Sequence, residues 1–201
     1  MTNTNLRPDL QIISNIIKNG SRVLDIGCFE GELLYHLAKH KNVDARGIEL
    51  IQSNVSSCVK RGLAVIQGDA DTDLKFYPDK CFDYVISSQM LQATRHPKDV
   101  LKEMLRLGKK VVVSIPNFGY WYNRLYLLIN GRMPVSETLP YQWYETPNIH
   151  FSTIKDFHVL CLEIGCKIEE KIFLSPCGSK NVTILPNILG ETGVFVLGKG
   201  N

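Results

Sequence analysis

Ser21–Leu34 reads SRVLDIGCFEGELL. Val23 and Leu24 open an apolar run that ends on Asp25 and Ile26. Gly27 and Gly31 bracket a tight turn, and Glu32 starts a stretch of helix formers. Strand, glycine turn and helix in that order form the entrance to a doubly wound nucleotide-binding fold. The pattern is D-x-G-x-x-x-G. It differs from the dinucleotide fingerprint in spacing and in its leading acid. A pyrophosphate disfavours a neighbouring carboxylate. An acid at the strand end suits a ligand with a cationic part.

The flanking chain alternates in the same way. Helical spacing is expected over Leu10–Lys18, 31–40, 52–61, Pro97–Leu107, Tyr120–Asn130 and Thr153–Ile164. Strands are expected over Arg22–Ile26, 45–50, 64–67, 82–87, 110–115, 167–173 and 193–198. This alternation predicts an α/β Rossmann-like class, with a mostly parallel seven-stranded sheet flanked by helices. One domain is expected over residues 1–201. A cover is expected to be inserted at about 118–152, carrying Tyr141, Trp143, Tyr144 and His150.

The bulk numbers narrow the function. A net charge of +3 on 201 residues is too weak to argue for nucleic acid. Six cysteines (28, 58, 81, 161, 166 and 177) form no C-x-x-C pair, so no metal site is expected and the thiols are read as buried or partly buried. The N-terminal MTNTNLRPDL has no apolar leader core, and the expectation is a soluble cytoplasmic chain.

In such sheets ligands bind beyond the carboxyl ends of the strands. Asp25, Glu49 and Asp69 stand at three successive ends. Glu49 follows Asp25 by 24 positions, where a carboxylate takes ribose hydroxyls, and Asp69 lies within reach of an adenine amino group. Together they point to S-adenosylmethionine or S-adenosylhomocysteine. The expected cofactor-binding set is Asp25, Gly27, Cys28, Phe29, Gly31, Glu49, Leu50, Asp69, Ala70, Ser87 and Gln89. The expected substrate or cover set is Gln92, Asn117, Tyr120, Trp121, Tyr144 and His150, with Arg7 and Asp9 closing over the cofactor carboxylate. Phe29 replaces a customary glycine. The loop accommodates it at negative φ, with its ring on the following helix or bordering the pocket.

VLDIGCFEG, GIEL and GDAD resemble the first three motifs of class I S-adenosylmethionine-dependent methyltransferases. The longer stretches FDYVISSQMLQATRHPKDVLKEMLRLGKKVVVSIPNFGYWYNRL and GRMPVSETLPYQWYETPNIHFSTIKDF resemble the methionine biosynthesis protein MetW family. That resemblance runs from about Leu6 to Leu174. It implies a partner, the homoserine O-acyltransferase MetX, and leaves open whether any methyl group is transferred.

Catalytic candidates are weak. The positions after the fourth strand hold Gln89 and Gln92, which cannot act as bases at neutral pH. His96 precedes Pro97 and reads as a helix cap, and His150 is a lone loop histidine. No G-x-S-x-G elbow is present, so the chain is not expected to be the acyltransferase itself. The alternative function is methyl transfer to a small molecule. The aromatics Phe118, Tyr120, Trp121, Tyr122 and Tyr126 carry two readings. They pack under the cover, or they form a partner surface with Arg124 and Arg132.

Overall fold

The computed structural model describes residues 6–136, 138–178 and 181–200, with the Cys177 side chain outside the described set. The N-terminal reading above falls largely on residues 1–5, which also lie outside it. The helices are α1 (Pro8–Ile16), α2 (Glu32–Lys41), α3 (Gln52–Lys60), α4 (Pro97–Leu107), α5 (Trp121–Asn130), α6 (Ile154–Glu163) and α7 (Pro186–Leu189). The strands are β1 (Arg22–Ile26), β2 (Asp44–Glu49), β3 (Ala64–Gln67), β4 (Phe82–Ser88), β5 (Gly108–Pro116), β6 (Lys167–Leu174) and β7 (Thr192–Gly198).

They form one seven-stranded sheet in the order β3-β2-β1-β4-β5-β7-β6. Neighbours from β3 to β5 are parallel, while β7 runs antiparallel to both β5 and β6. Each face is covered, as parallel strands require. Leu24, Ile26, Val85, Val111 and Val113 point to one face, with α4 residues Leu101 and Met104. Val23, Ala45, Val65, Ile86 and Val112 point to the other, with Ile13 of α1 and Leu34 of α2. Each fully buried side chain of this size contributes about 1.5–3 kcal/mol.

Most element ends fall within two residues of the expected ones. The differences have local causes. Pro8 starts α1 early, because proline is favoured in a first helical turn. β4 runs one residue past its expected end, to Ser88. α7 is a single turn that period counting cannot detect. Residues 131–152 contain neither helix nor strand among those described, as expected. The ends of that segment meet, since the Phe118 amide donates to the Ser152 carbonyl at 3.0 Å. No helix among the described residues is long and apolar enough to cross a membrane.

The glycine turn after β1 is held from beneath. Gly31 is left-handed (φ +77°), and a Cβ there would lie 2.5 Å from Leu63 and 2.9 Å from the Cys58 thiol. Gly62 has the same φ of +77° but open space around it. Urea unfolding separates the two effects. Gly62→Ala should cost about 1 kcal/mol for backbone strain alone, and Gly31→Ala about 2–4 kcal/mol.

Candidate functional site

The strand order reverses between β1 and β4, which opens a crevice at the carboxyl ends. A cavity of about 1070 Å³ occupies it, at the upper end of the range for small-molecule sites. Gly27, Phe29, Glu49, Leu50, Asp69, Ala70, Gln89 and Gln92 of the expected set line its wall.

Glu49 is the best-connected residue of the wall. One carboxylate oxygen accepts the Phe29 amide at 2.9 Å. The other accepts the Ile51 amide at 2.9 Å and the Asn54 amide group at 3.4 Å. The carboxylate, 6% exposed, therefore ties the β1 turn to the start of α3. A carboxylate offers about four lone-pair directions, so room for a ligand hydroxyl remains.

Phe29 departs from expectation. Its φ is +50°, in the left-handed region. The bond from its amide to Glu49 stabilises the strained backbone. Its ring is 63% exposed and borders the cavity.

Asp25, Cys28, Gly31 and Ser87 are not in the cavity wall. Asp25 sits beneath the turn, and its Oδ1 is buried without a hydrogen-bond partner. Burial pushes its carboxyl up to about 7, with Arg7 opposing and Glu49 reinforcing the shift. Cys28 faces the core beside Leu34 and Val65, and burial raises its thiol well above the ordinary range. Ser87 is fully buried. Side chains alternate across a strand, so it is the next residue, Ser88 at the end of β4, that lines the cavity.

Asp69 also braces its own loop. Its Oδ1 accepts the Asp71 amide at 2.9 Å, and Arg95 lies 3.4 Å from Oδ2. Asp71 in turn accepts the Arg95 and His96 amides, both at 2.9 Å. His96 occupies the N-cap position of α4 without a capping side-chain bond, and its ring is outside the cavity wall.

Arg7 and Asp9 form the opposite rim. Arg7 makes two bonds to the Asp9 carboxylate, at 3.1 and 3.2 Å, and one to Ser88 at 2.8 Å. Asp9, only 3% exposed, also accepts Ser114 at 2.8 Å. Asp9 is thereby spent on fastening α1 to β4 and β5. Arg7, half exposed and paired with Asp9, lines the cavity at this rim.

The cover set divides. Gln92 lines the cavity, and its carbonyl accepts the amides of Ile149 and His150, both at 3.0 Å. The Tyr144 and His150 side chains do not reach the wall; Tyr141, which the expected cover included, forms the roof with Pro147 and Ile149. Asn117 is structural. Its side chain donates to Gly190 at 2.7 Å and accepts from Gly119 and Ile154, joining α5, α6 and α7. Tyr120 is buried away from the cavity, and Trp121 is 43% exposed on the outer surface. Residues missed from sequence include Ser88, Asn54 and Asp71. A residue-exact end for β4 would have found the first. The other two follow site acids on a helix and a loop, and only their contacts identify them.

A family model described as "Methionine biosynthesis protein MetW" matches residues 7–197. A Rhodopirellula baltica protein named "Bifunctional methionine biosynthesis protein MetXA/MetW" is 32% identical over 98% of this chain. The chain spans only 33% of that relative's length. Among solved structures, an S-adenosylmethionine-dependent methyltransferase from Archaeoglobus fulgidus superposes with a TM-score of 0.71 at 17% identity. That match covers 96% of this chain and 92% of that one. The cyclase SpnF superposes with a TM-score of 0.68 at 17% identity, covering 95% of this chain and 80% of that one. The fold is shared, and it carries more than one reaction.

The raised Asp25 has a measurable consequence. Its folded pKa of about 7 stands above the ordinary 3.8. Between these values the unfolded chain has lost the proton that the folded chain keeps. Its contribution to stability is therefore full below about pH 4, falls as pH rises, and is lost above about 7. Asp25→Asn cannot ionise. Urea unfolding at pH 5 and pH 7 should show the variant gaining roughly 2–3 kcal/mol on the wild type between the two. Parallel pH profiles would refute the burial of an ionisable Asp25.

Proposed function

Since the chain belongs to the methionine biosynthesis protein MetW family, we propose that it binds S-adenosylmethionine or S-adenosylhomocysteine and assists homoserine O-acyltransferase. The observation that carries the partner is the relative whose name joins MetXA to MetW in one polypeptide. The observation that carries the ligand is the line of acids under and beside the cavity, from Asp25 through Glu49 to Asp69.

The residues present fit such a ligand. A buried carboxyl oxygen without a donor stands under the turn at Asp25. At Gly27 (φ +69°) a Cβ would strike the Met90 side chain, so the backbone itself forms the wall. Glu49 would accept ribose hydroxyls, Asp69 the adenine amino group, and Arg7 a carboxylate. When bound, S-adenosylmethionine supplies a methyl group activated by a sulfonium. Asp25 would favour the positive end of the ligand through its charge from below, gained at the expense of its proton. Phe29 and Leu50 would cover the ligand and exclude water.

No histidine lines the cavity among the described residues. A second reading, methyl transfer to a small molecule that is already nucleophilic, draws on the cavity's length. The wall continues past β5 to Glu191 and Thr192. Four strand spacings separate β2 from β7 in the sheet, roughly 19 Å. This leaves room beside a bound cofactor.

Two measurements test the proposal. Calorimetry should find S-adenosylmethionine or S-adenosylhomocysteine binding, weakened by about 1–3 kcal/mol in Glu49→Gln. Purified homoserine O-acyltransferase should gain severalfold activity when this protein is added, with no S-adenosylmethionine consumed. An unchanged rate without co-elution would remove the partner and favour the methyltransferase reading.

A further inference from the structure

α5 is apolar and almost wholly uncovered. Of its ten residues, Asn123 has the only buried side chain. Leu128 is 81% exposed and Ile129 is 70% exposed. α4, of similar length, buries Val100, Leu101, Met104 and Leu107. The α5 face continues onto α7. Arg124, the sole charged residue of α5, donates from Nε to the Gly119 carbonyl and lies 3.5 Å from the Asn187 carbonyl. Beside that junction Ile184 is 72% exposed and Leu185 is 61% exposed. Leu185 is also held at φ +45°, a strained conformation for leucine. Trp121, Leu125 and Leu128 share the side of α5 that carries Arg124, and the Tyr122–Tyr126 ring pair flanks it. An apolar surface of this extent, with aromatic residues and an arginine, has the make-up of an interface centre.

We infer that the α5–α7 face is the docking surface for homoserine O-acyltransferase, an inference that rests on the proposed function. The occupant follows from two observations. The related MetXA/MetW protein carries both units in one chain, so the two are held together there. α5 contains no acidic residue, and Arg124 and the exposed Arg132 edge it, so it fits an apolar patch rimmed by carboxylates. Of the aromatics read from the sequence as a partner surface with Arg124 and Arg132, Trp121 and Tyr122 are exposed on this face. Tyr120 is buried, and the exposed centre is Leu125, Leu128 and Ile129. The chain leaves α5 directly into the segment whose Tyr141 and Ile149 roof the cavity.

The test measures binding of the purified acyltransferase to the wild type, to the double variant Leu128→Asp/Ile129→Asp, and to Leu162→Asp. Leu162 is 66% exposed on α6 and serves as the control. The double variant should lose at least tenfold in affinity, with S-adenosylhomocysteine binding unchanged as proof of folding. The control should bind as the wild type does. If the wild type binds and the double variant binds equally, the surface is wrong and the proposed function stands. If the wild type does not bind, the proposed function has failed and the inference goes with it. If the double variant instead breaks up a dimer and leaves acyltransferase binding intact, a second copy occupies the face and the inference is overturned.

Discussion

The site depends on one buried carboxylate. Glu49 ends β2 and takes the amides of Phe29 and Ile51 together with the Asn54 side chain. Those three donors come from the turn after β1 and from the start of α3. A hydrogen bond to a charged acceptor contributes about 1.5–3 kcal/mol. That is enough to hold Phe29 in a left-handed conformation costing about 1–3 kcal/mol. The turn then stands open, with its aromatic ring at the cavity mouth and Gly27 forming the floor. A second fixed point lies across the crevice, where Asp9 fastens α1 to β4 and β5 and leaves Arg7 facing inward. The crevice is preorganised at both rims.

Much of this was legible in the sequence because it follows from periodicity. Alternating apolar runs and amphipathic stretches fix the order of strands and helices. That order fixes which residues stand at the carboxyl ends. Glu49 and Asp69 reach the cavity for this reason. What was not legible depends on single-residue register or on distant contacts. Ser88 lines the cavity while Ser87 is fully buried, because successive strand side chains point to opposite faces. Phe29 adopts positive φ because of a carboxylate twenty residues away. Of the aromatics expected in the cover, Tyr141 reaches the roof and Tyr144 does not, since an irregular segment has no period from which to read direction. Asn117 stood at a strand end but faces α7, a single turn that sequence patterns do not reveal.

The fold by itself leaves the chemistry open, since a methyltransferase and a cyclase share it. The site narrows the choice. Among the described residues the cavity wall holds several acids and no histidine, and an irregular segment roofs it, which suits the cationic ligand proposed above. The Gln92 carbonyl, in the short turn after β4, takes two amides of that segment and joins the turn to the roof. The roof continues into α5.

The central claim is that a cationic ligand end comes to rest above a buried, largely protonated Asp25. The most direct test is calorimetric titration with S-adenosylmethionine at pH 6.5, in buffers of different ionisation enthalpy. The account predicts that binding releases a substantial fraction of one proton, because an approaching positive charge returns the Asp25 pKa of about 7 toward the ordinary carboxylate range. It also predicts that the release disappears above about pH 8. No binding, or binding whose heat is the same in every buffer, would contradict it.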